Sequence, residues 1–250
     1  MKPYVLVSPP YDPVSGGIKV MFGLYGHLLA RGVEVYMNQY PAGDVVAVYP
    51  EIVADNPVGA GTVVRYILNK LGVMSSGQGG GLKEIDPNEH NYYFSRLFGD
   101  TNDDHYMFLP VINTNIFKDQ HRTRDKRAVF VGKGEDLGLH KPGAIIVDRF
   151  LARNQGGLAD LLNECQVMYC YDPVSAMTEV ARLCGCRVVM FNKTYSKEEY
   201  TNKYEPGSNG MSFGADTGEI FDAGAFRRHY VGLREIFDKK LDKFLEDTQR

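Results

Sequence analysis

The stretch YDPVSAMTEVARLCGCRVVMF, residues 171–191, predicts a turn, a short helix, a glycine stop and an apolar strand. The run VMYCY, residues 167–171, is itself a short apolar strand pattern, so strand, helix and strand follow one another along the chain. Two strands that are joined by a single helix are typical of a parallel βαβ unit. The stretch therefore predicts an α/β fold with parallel strands.

The same alternation recurs on both sides of residues 113–127, a charged run that predicts a linker. The segments that read as strands are residues 4–7, 33–37, 44–50, 106–112, 128–132, 144–148, 167–171 and 187–191. The segments that read as helices are residues 18–32, TVVRYILNKLG (62–72, with Thr62 as N-cap), 157–166 and the stretch after Ser175. Residues 74–91 predict a flexible loop.

The chain ends in a stretch with apolar residues at steps of three and four, which predicts a long amphipathic helix. We therefore predict an N-terminal lobe over residues 1–115, a C-terminal lobe over 126–225 and a helix over 226–250 that packs across the lobes. Association of two copies through this helix is the alternative.

The composition excludes several classes of protein. A net charge of −3, from 28 basic and 31 acidic residues, gives no general attraction to nucleic acid or to anionic membranes. No apolar run reaches transmembrane length. The four cysteines lie beside apolar runs without the spacing of paired zinc knuckles, which favours buried thiols in a reducing compartment. We expect a cytoplasmic protein that binds no nucleic acid and no metal.

Two helix starts that follow strands are candidate anion sites, because a helix N-terminus presents unpaired N–H groups. At the first, Gly16 and Gly17 would let a ligand approach the backbone. At the second, Ser175 as the N-cap would leave the N–H groups of Ala176 and the next residues for phosphate oxygens. Glu179 lies one turn later, where a carboxylate can accept two hydrogen bonds from a ribose diol. A capping serine followed by a favourable first-turn acid explains the same residues without a ligand.

Two stretches resemble one enzyme family. LADLLNECQVMYCYDPVSAMTEVARLCGCRVVMF, residues 158–191, resembles the donor-binding lobe of GT-B glycosyltransferases, and VSGGIKVMFGLYGHLLARGVEVYM, residues 14–37, is similar to that family's opening. The family carries two glutamates with seven residues between them. Glu179 matches the second, which binds the nucleotide ribose, whereas the first falls on Tyr171, with the carboxylate of Asp172 beside it.

The resemblance implies two Rossmann-like lobes of GT-B type and transfer of a sugar from a nucleotide-activated donor without a metal. The acceptor would be a glycan, a lipid or a protein, and the donor is a substrate, so no separate cofactor is implied. Basic side chains would stabilise the leaving diphosphate. Lys133, between two glycines in VGKGEDLGLHK (131–141), is the stronger candidate and Lys141 the other. The implied catalytic residues are Asp172 and Lys133.

Two other functions stay open at this stage. One is a GT-B-like module that binds nucleotide or assists assembly without catalysis. The other is a Rossmann-type oxidoreductase or epimerase, which is disfavoured because no strand–GxGxxG–helix pattern occurs. His27 could serve as an acceptor-side base, although a half-buried helix histidine is more common. Asp103, Asp104 and His105 read as a polar turn rather than as a metal motif.

Overall fold

The computed structural model describes residues 1–72 and 81–249. The chain forms two compact units, the first made of Met1–Val111 together with Leu233–Arg250 and the second of Ile112–Gly232. Each unit contains a five-stranded sheet in which every neighbouring pair of strands is parallel. The prediction of a parallel α/β fold is therefore confirmed.

The sheet of the first unit has the spatial order β2-β1-β3-β4-β5. Its strands are β1 (Tyr4–Leu6), β2 (Val35–Met37), β3 (Val46–Pro50), β4 (Thr62–Ile67) and β5 (His90–Tyr93). Tyr4 pairs with Val35 on one side and with Val46 on the other, so the chain reverses its direction of travel across the sheet beside β1. In a sheet of this kind the reversal opens a crevice at the carboxyl ends of the two strands involved.

Helix α1 (Gly16–Ala30) connects β1 to β2 and covers one face of this sheet. Ser15 caps it, since the serine side chain accepts a hydrogen bond from the N–H of Ile18. The helix buries four side chains against the sheet, namely Val20, Met21, Leu24 and Leu28. Three residues near the C-terminus complete the same core, namely Phe237, Leu241 and Phe244.

The sheet of the second unit has the order β10-β9-β8-β6-β7. Its strands are β6 (Lys126–Phe130), β7 (Ile145–Ile146), β8 (Cys165–Cys170), β9 (Arg187–Met190) and β10 (Met211–Phe213). Its helices are α2 (Arg149–Arg153), α3 (Gln155–Glu164), α4 (Met177–Leu183) and α5 (Lys197–Lys203). Numbered within its own unit, this sheet repeats the order of the first, and the reversal lies between β6 and β8.

The C-terminal helix is observed as α6 (Ala223–Thr248). Its residues up to Gly232 belong to the second unit and the remainder to the first. Phe226 and Tyr230 are each 2% exposed, and Phe237, Leu241 and Phe244 are at most 1% exposed, so one stripe of the helix is buried along its length.

Two predicted elements are wrong. The segment predicted as a helix over 62–72 begins with strand β4, which lies between β3 and β5 and has Val64, Tyr66 and Ile67 fully buried. The segment predicted as a strand over 106–112 makes only an isolated bridge, between Tyr106 and Tyr93. Its apolar side chains fill the core without joining the ladder.

Of the predicted loop 74–91, residues 74–80 lie outside the described residues, and residues 81–89 contain no helix or strand. The prediction is wrong for His90 and Asn91, which begin strand β5. No helix among the described residues is both long and apolar enough to span a bilayer. The four cysteines are buried thiols, as predicted, and burial raises the pKa of Cys165 to about 11 and that of Cys184 to about 12.

Candidate functional site

The strongest cluster of candidate residues lies where the second sheet reverses. The loop after β6 contains Lys133, and the loop after β8 contains Asp172. Although these residues are far apart in sequence, β6 and β8 are neighbours in the sheet, so their carboxyl ends meet. Ligands of parallel α/β sheets bind in this position.

Asp172 holds the two loops together. Its Oδ2 accepts a hydrogen bond from the backbone N–H of Lys133 at 3.0 Å, and its Oδ1 accepts one from the N–H of Val174 at 3.1 Å. The residue is 3% exposed, and burial raises the pKa of its carboxyl although Lys133 and the two N–H groups lower it. Asp172 therefore acts as a clamp between loops and presents little surface to a ligand.

Lys133 projects from this clamp towards solvent. Its Nζ donates to the carbonyl oxygen of Val174 at 3.1 Å and lies 3.8 Å from Oδ1 of Asp172. The lysine side chain is still 40% exposed. An ammonium group has three donors, so this one can bind a ligand anion while it keeps its contact with the loop after β8.

The glycines on either side of Lys133 are required by close packing. A Cβ atom on Gly132 would collide with the carboxylate of Asp172, and one on Gly134 would collide with the carbonyl oxygen of Tyr171. Gly132 also has a φ of +57°, which side chains disfavour. The sequence pattern glycine–lysine–glycine thus folds the loop directly onto the end of strand β8.

Tyr171 lies at the position where the GT-B family pattern has a glutamate. Its side chain contacts the loop that contains Lys133. Its hydroxyl accepts hydrogen bonds from the N–H groups of Leu139 at 2.9 Å and His140 at 3.0 Å. Its ring stacks on Phe191 with centroids 5.4 Å apart. The side chain is 1% exposed, so its role is to hold residues 131–140 in place.

Helix α4 begins later than the sequence predicts. Ala176 occupies the N-cap position, not Ser175, and the first helical residue is Met177. The hydroxyl of Ser175 accepts a hydrogen bond from the N–H of Met177 at 3.2 Å, so that N–H is already paired. Ser175 and Ala176 themselves are partly exposed.

Glu179 is part of a buried polar network. It is 5% exposed, and its Oε1 accepts a hydrogen bond from the hydroxyl of Tyr204. Burial and the nearby Glu179 both raise the pKa of Tyr204. The sequence analysis identified Glu179 but not Tyr204, which lies beyond the next strand and helix and follows no readable pattern.

The cation of this network is Arg182, which is fully buried one turn after Glu179. Its Nη1 donates to the carbonyl oxygens of Gly207 at 2.7 Å and Asn209 at 3.1 Å, and its guanidinium carbon lies 4.1 Å from the centroid of the Phe226 ring. Burial lowers its pKa, and the charge of Glu179 opposes that effect. The i, i+3 spacing of an acid and a base was the signal that could have revealed this electrostatic interaction.

The corresponding place in the first unit is the loop after β1. Gly16 and Gly17 form the first turn of α1, and both are partly exposed. A Cβ on Gly17 would lie 3.5 Å from Leu68, an ordinary contact, so close packing does not account for this glycine. These two glycines are in a separate unit from Lys133 and Asp172.

His27 and the Asp103–His105 segment also have local partners. His27 accepts a hydrogen bond from Arg234 and lies 3.4 Å from Asp238, while burial, followed by the charge of Arg234, lowers its pKa. Asp103–His105 is a turn of 3-10 helix. The described residues contain no group of three or more histidine, cysteine, aspartate or glutamate side chains that could hold a metal.

The structure defines the chain as an α/β protein with two parallel five-stranded sheets. No protein-family model matches the chain, and no curated protein does. Among solved structures, a functionally uncharacterised protein of Klebsiella pneumoniae subsp. pneumoniae NTUH-K2044 is 13% identical, with 79% of this chain and 86% of that chain covered and a TM-score of 0.41. A TM-score of this size does not establish a shared fold.

Proposed function

We propose that this protein is a glycosyltransferase that transfers a sugar from a nucleotide-activated donor, with the donor diphosphate bound at the loops after β6 and β8. The observation that carries the proposal is the meeting of Lys133, on its glycine loop, with Asp172 at the reversal point of the second sheet. Both residues were implied by the family resemblance. In our proposal their contact joins the loop after β6 and the loop after β8 into a single anion-binding site.

The chemistry required of this position is electrostatic. When the sugar leaves, negative charge develops on the nucleoside diphosphate, and a fixed cation in a partly desolvated loop stabilises that charge. Lys133 is the cation in our proposal, and it needs no metal for this purpose. Asp172 is a positioning residue, because its oxygens are occupied by the N–H groups of Lys133 and Val174.

The nucleoside would extend from Lys133 over the start of α4. Ser175 and Ala176 are partly exposed there, and Glu179 lies one turn further along. A carboxylate has about four acceptor positions. In our proposal Glu179 accepts a hydrogen bond from the ribose in addition to the one from Tyr204, and the ribose contacts the exposed edge of this residue, which is 5% exposed.

We further propose that both units are Rossmann-like lobes of a GT-B enzyme. The identical strand order of the two sheets supports this proposal. The first unit would then bind the acceptor, a glycan, a lipid or a protein, with Gly16 and Gly17 at its reversal point.

A thermal-shift panel of UDP, GDP, ADP and NAD tests the proposed function. We expect one nucleoside diphosphate to raise the melting temperature. At a concentration of a hundred times its dissociation constant, it should increase the free energy of unfolding by about 2.7 kcal/mol. The corresponding nucleotide sugar should then release that diphosphate on incubation, with water accepting the sugar in the absence of the natural acceptor. Stabilisation by NAD alone would indicate an oxidoreductase, and stabilisation by a diphosphate without any turnover would indicate a non-catalytic module.

A further inference from the structure

A groove of about 500 Å³ runs along helix α1 in the first unit, apart from the site proposed above. Its volume is within the range of small-molecule sites. The lining extends from Lys19 to Ala30. Lys19 and Ala30 are eleven positions apart, which corresponds to about 16 Å of helix, so the groove is long enough for an extended chain of about a dozen carbon atoms.

Two glycines of α1 form the floor of this groove. A Cβ on Gly23 would lie 2.8 Å from a methyl carbon of Leu109, so this glycine lets the segment around Leu109 approach the helix. A Cβ on Gly26 would meet nothing within 4 Å. Glycine is a poor helix former, and packing explains only the first of the two. Gly26 leaves the groove open, because glycine has no side chain to fill it.

Apart from His27, the remaining lining is apolar or cationic. Tyr11 and Phe22 meet edge to face at one end, with ring centroids 5.2 Å apart. Lys19 and Arg234 are the charged residues, and no described residue of the lining is acidic. The lining is therefore complementary to an anion with an apolar body.

Arg234 is suited to bind the charged group of such a ligand. It donates to the carbonyl oxygen of Pro110 at 3.0 Å and to Nε2 of His27. Neither acceptor carries a negative charge, and the nearby Asp238 is paired with His27 and Arg31. Within the described residues, the guanidinium of Arg234 thus has no carboxylate partner in an ion pair. A guanidinium matches the geometry of a phosphate.

We propose that this groove binds an anionic amphiphile, a linear alkyl chain with a phosphate monoester at one end. The chain lies over Gly23 and Gly26 between the aromatic rings and Leu109, and the phosphate pairs with Arg234. A neutral amphiphile leaves Arg234 without an anionic partner, and inorganic phosphate leaves the apolar floor uncovered. The inference does not depend on the glycosyltransferase proposal.

Calorimetric titration with dodecyl phosphate, below its micelle concentration, tests this proposal on the full chain. We expect saturable binding of one molecule, and no comparable binding of dodecyl maltoside or inorganic phosphate. Arg234→Gln should weaken binding about ten- to hundredfold, because hydrogen bonds to a charged group are lost. If dodecyl maltoside binds as tightly as dodecyl phosphate, the proposal is wrong.

Gly26→Leu provides the sharper variant, since a Cβ at this position meets nothing within 4 Å and the rest of the leucine side chain would occupy the groove. Affinity for dodecyl phosphate should fall by about tenfold or more. Gly232→Leu is the matched control, because Gly232 also lies in a helix, also faces open space and is not part of the lining. Equal affinities for the wild type and a folded Gly26→Leu variant would overturn the assignment.

Discussion

Replacing Glu179 by glutamine should destabilise the second unit much more than a helix-start charge normally does. Glu179 is 5% exposed and interacts electrostatically with Arg182, which is fully buried. Removal of this negative charge leaves the buried guanidinium without its nearby compensating charge, at a cost that we expect to approach the roughly 3–5 kcal/mol of a broken buried charge pair. An exposed acid in the first turn of a helix contributes only about 0.3–1 kcal/mol.

Hydrogen exchange measured on peptides from residues 112–232 is the appropriate assay, because a chain of two units need not unfold in a single transition. Glu198→Gln is the matched control, since Glu198 is an exposed first-turn acid on α5, a helix as long as α4. Tyr204→Phe should cost an intermediate amount, about 1.5–3 kcal/mol. If Glu179→Gln is as stable as Glu198→Gln but binds nucleotide about ten- to hundredfold more weakly, the carboxylate binds ribose and the argument from the buried charge is refuted.

Three further predictions concern the core, the pH response and metal removal. Phe244→Ala should destabilise the first unit by about 3–5 kcal/mol in urea unfolding, because Phe244 is fully buried against Tyr4 and Tyr92. The control, Val231→Ala on the exposed side of α6, should cost less than about 0.5 kcal/mol. A chain that ends at residue 225 and still unfolds cooperatively would contradict the same reasoning. Burial lowers the pKa of His27 and His90, so the unfolded chain binds more protons than the native chain as the pH falls below about 6.5. The urea concentration at the unfolding midpoint should therefore decrease from pH 7.5 to pH 5.5. The decrease should be less steep in His27→Gln. Release of nucleoside diphosphate from the donor should be unchanged by EDTA, and a strict requirement for manganese would exclude the proposed metal-independent reaction.

Much of the parallel fold could be predicted because its strands are continuous apolar runs. The same property caused the error at β4. Both faces of this strand are covered, so it lacks the alternation of an exposed strand, and Val64 and Ile67 also fit helical spacing. Arg65 added to the ambiguity, since a charged residue is unexpected in a central strand. It is 2% exposed and pairs with Glu89 at 2.6 Å, a partner that the local sequence does not reveal.

Some short elements could not be predicted for a different reason. Strand β5 reads HNYY and strand β10 reads MSF, so neither is a continuous apolar run, whereas the equally short β1 lies in such a run and was predicted. Helix α5 is only seven residues long, although its capping box of Ser196 and Glu199 is visible in the sequence and could have marked its start.

Part of the candidate site was predictable from topology. Lys133 and Asp172 each follow a predicted strand, and neighbouring parallel strands bring such residues together. The role of Tyr171 was not predictable, because its partners are backbone N–H groups in a loop without a recognisable pattern. The burial of Glu179 depends on Tyr204, a contact made across 25 residues of chain.

The most direct test of the proposed donor site is a calorimetric titration with the nucleoside diphosphate that stabilises the protein most. The wild type is compared with Lys133→Ala and with Lys126→Ala, an exposed lysine at the opposite end of strand β6. We predict that Lys133→Ala weakens binding about ten- to hundredfold, because charge-assisted hydrogen bonds to the diphosphate are lost, and that Lys126→Ala binds like the wild type. Equal affinities for the wild type and Lys133→Ala would contradict the proposed site.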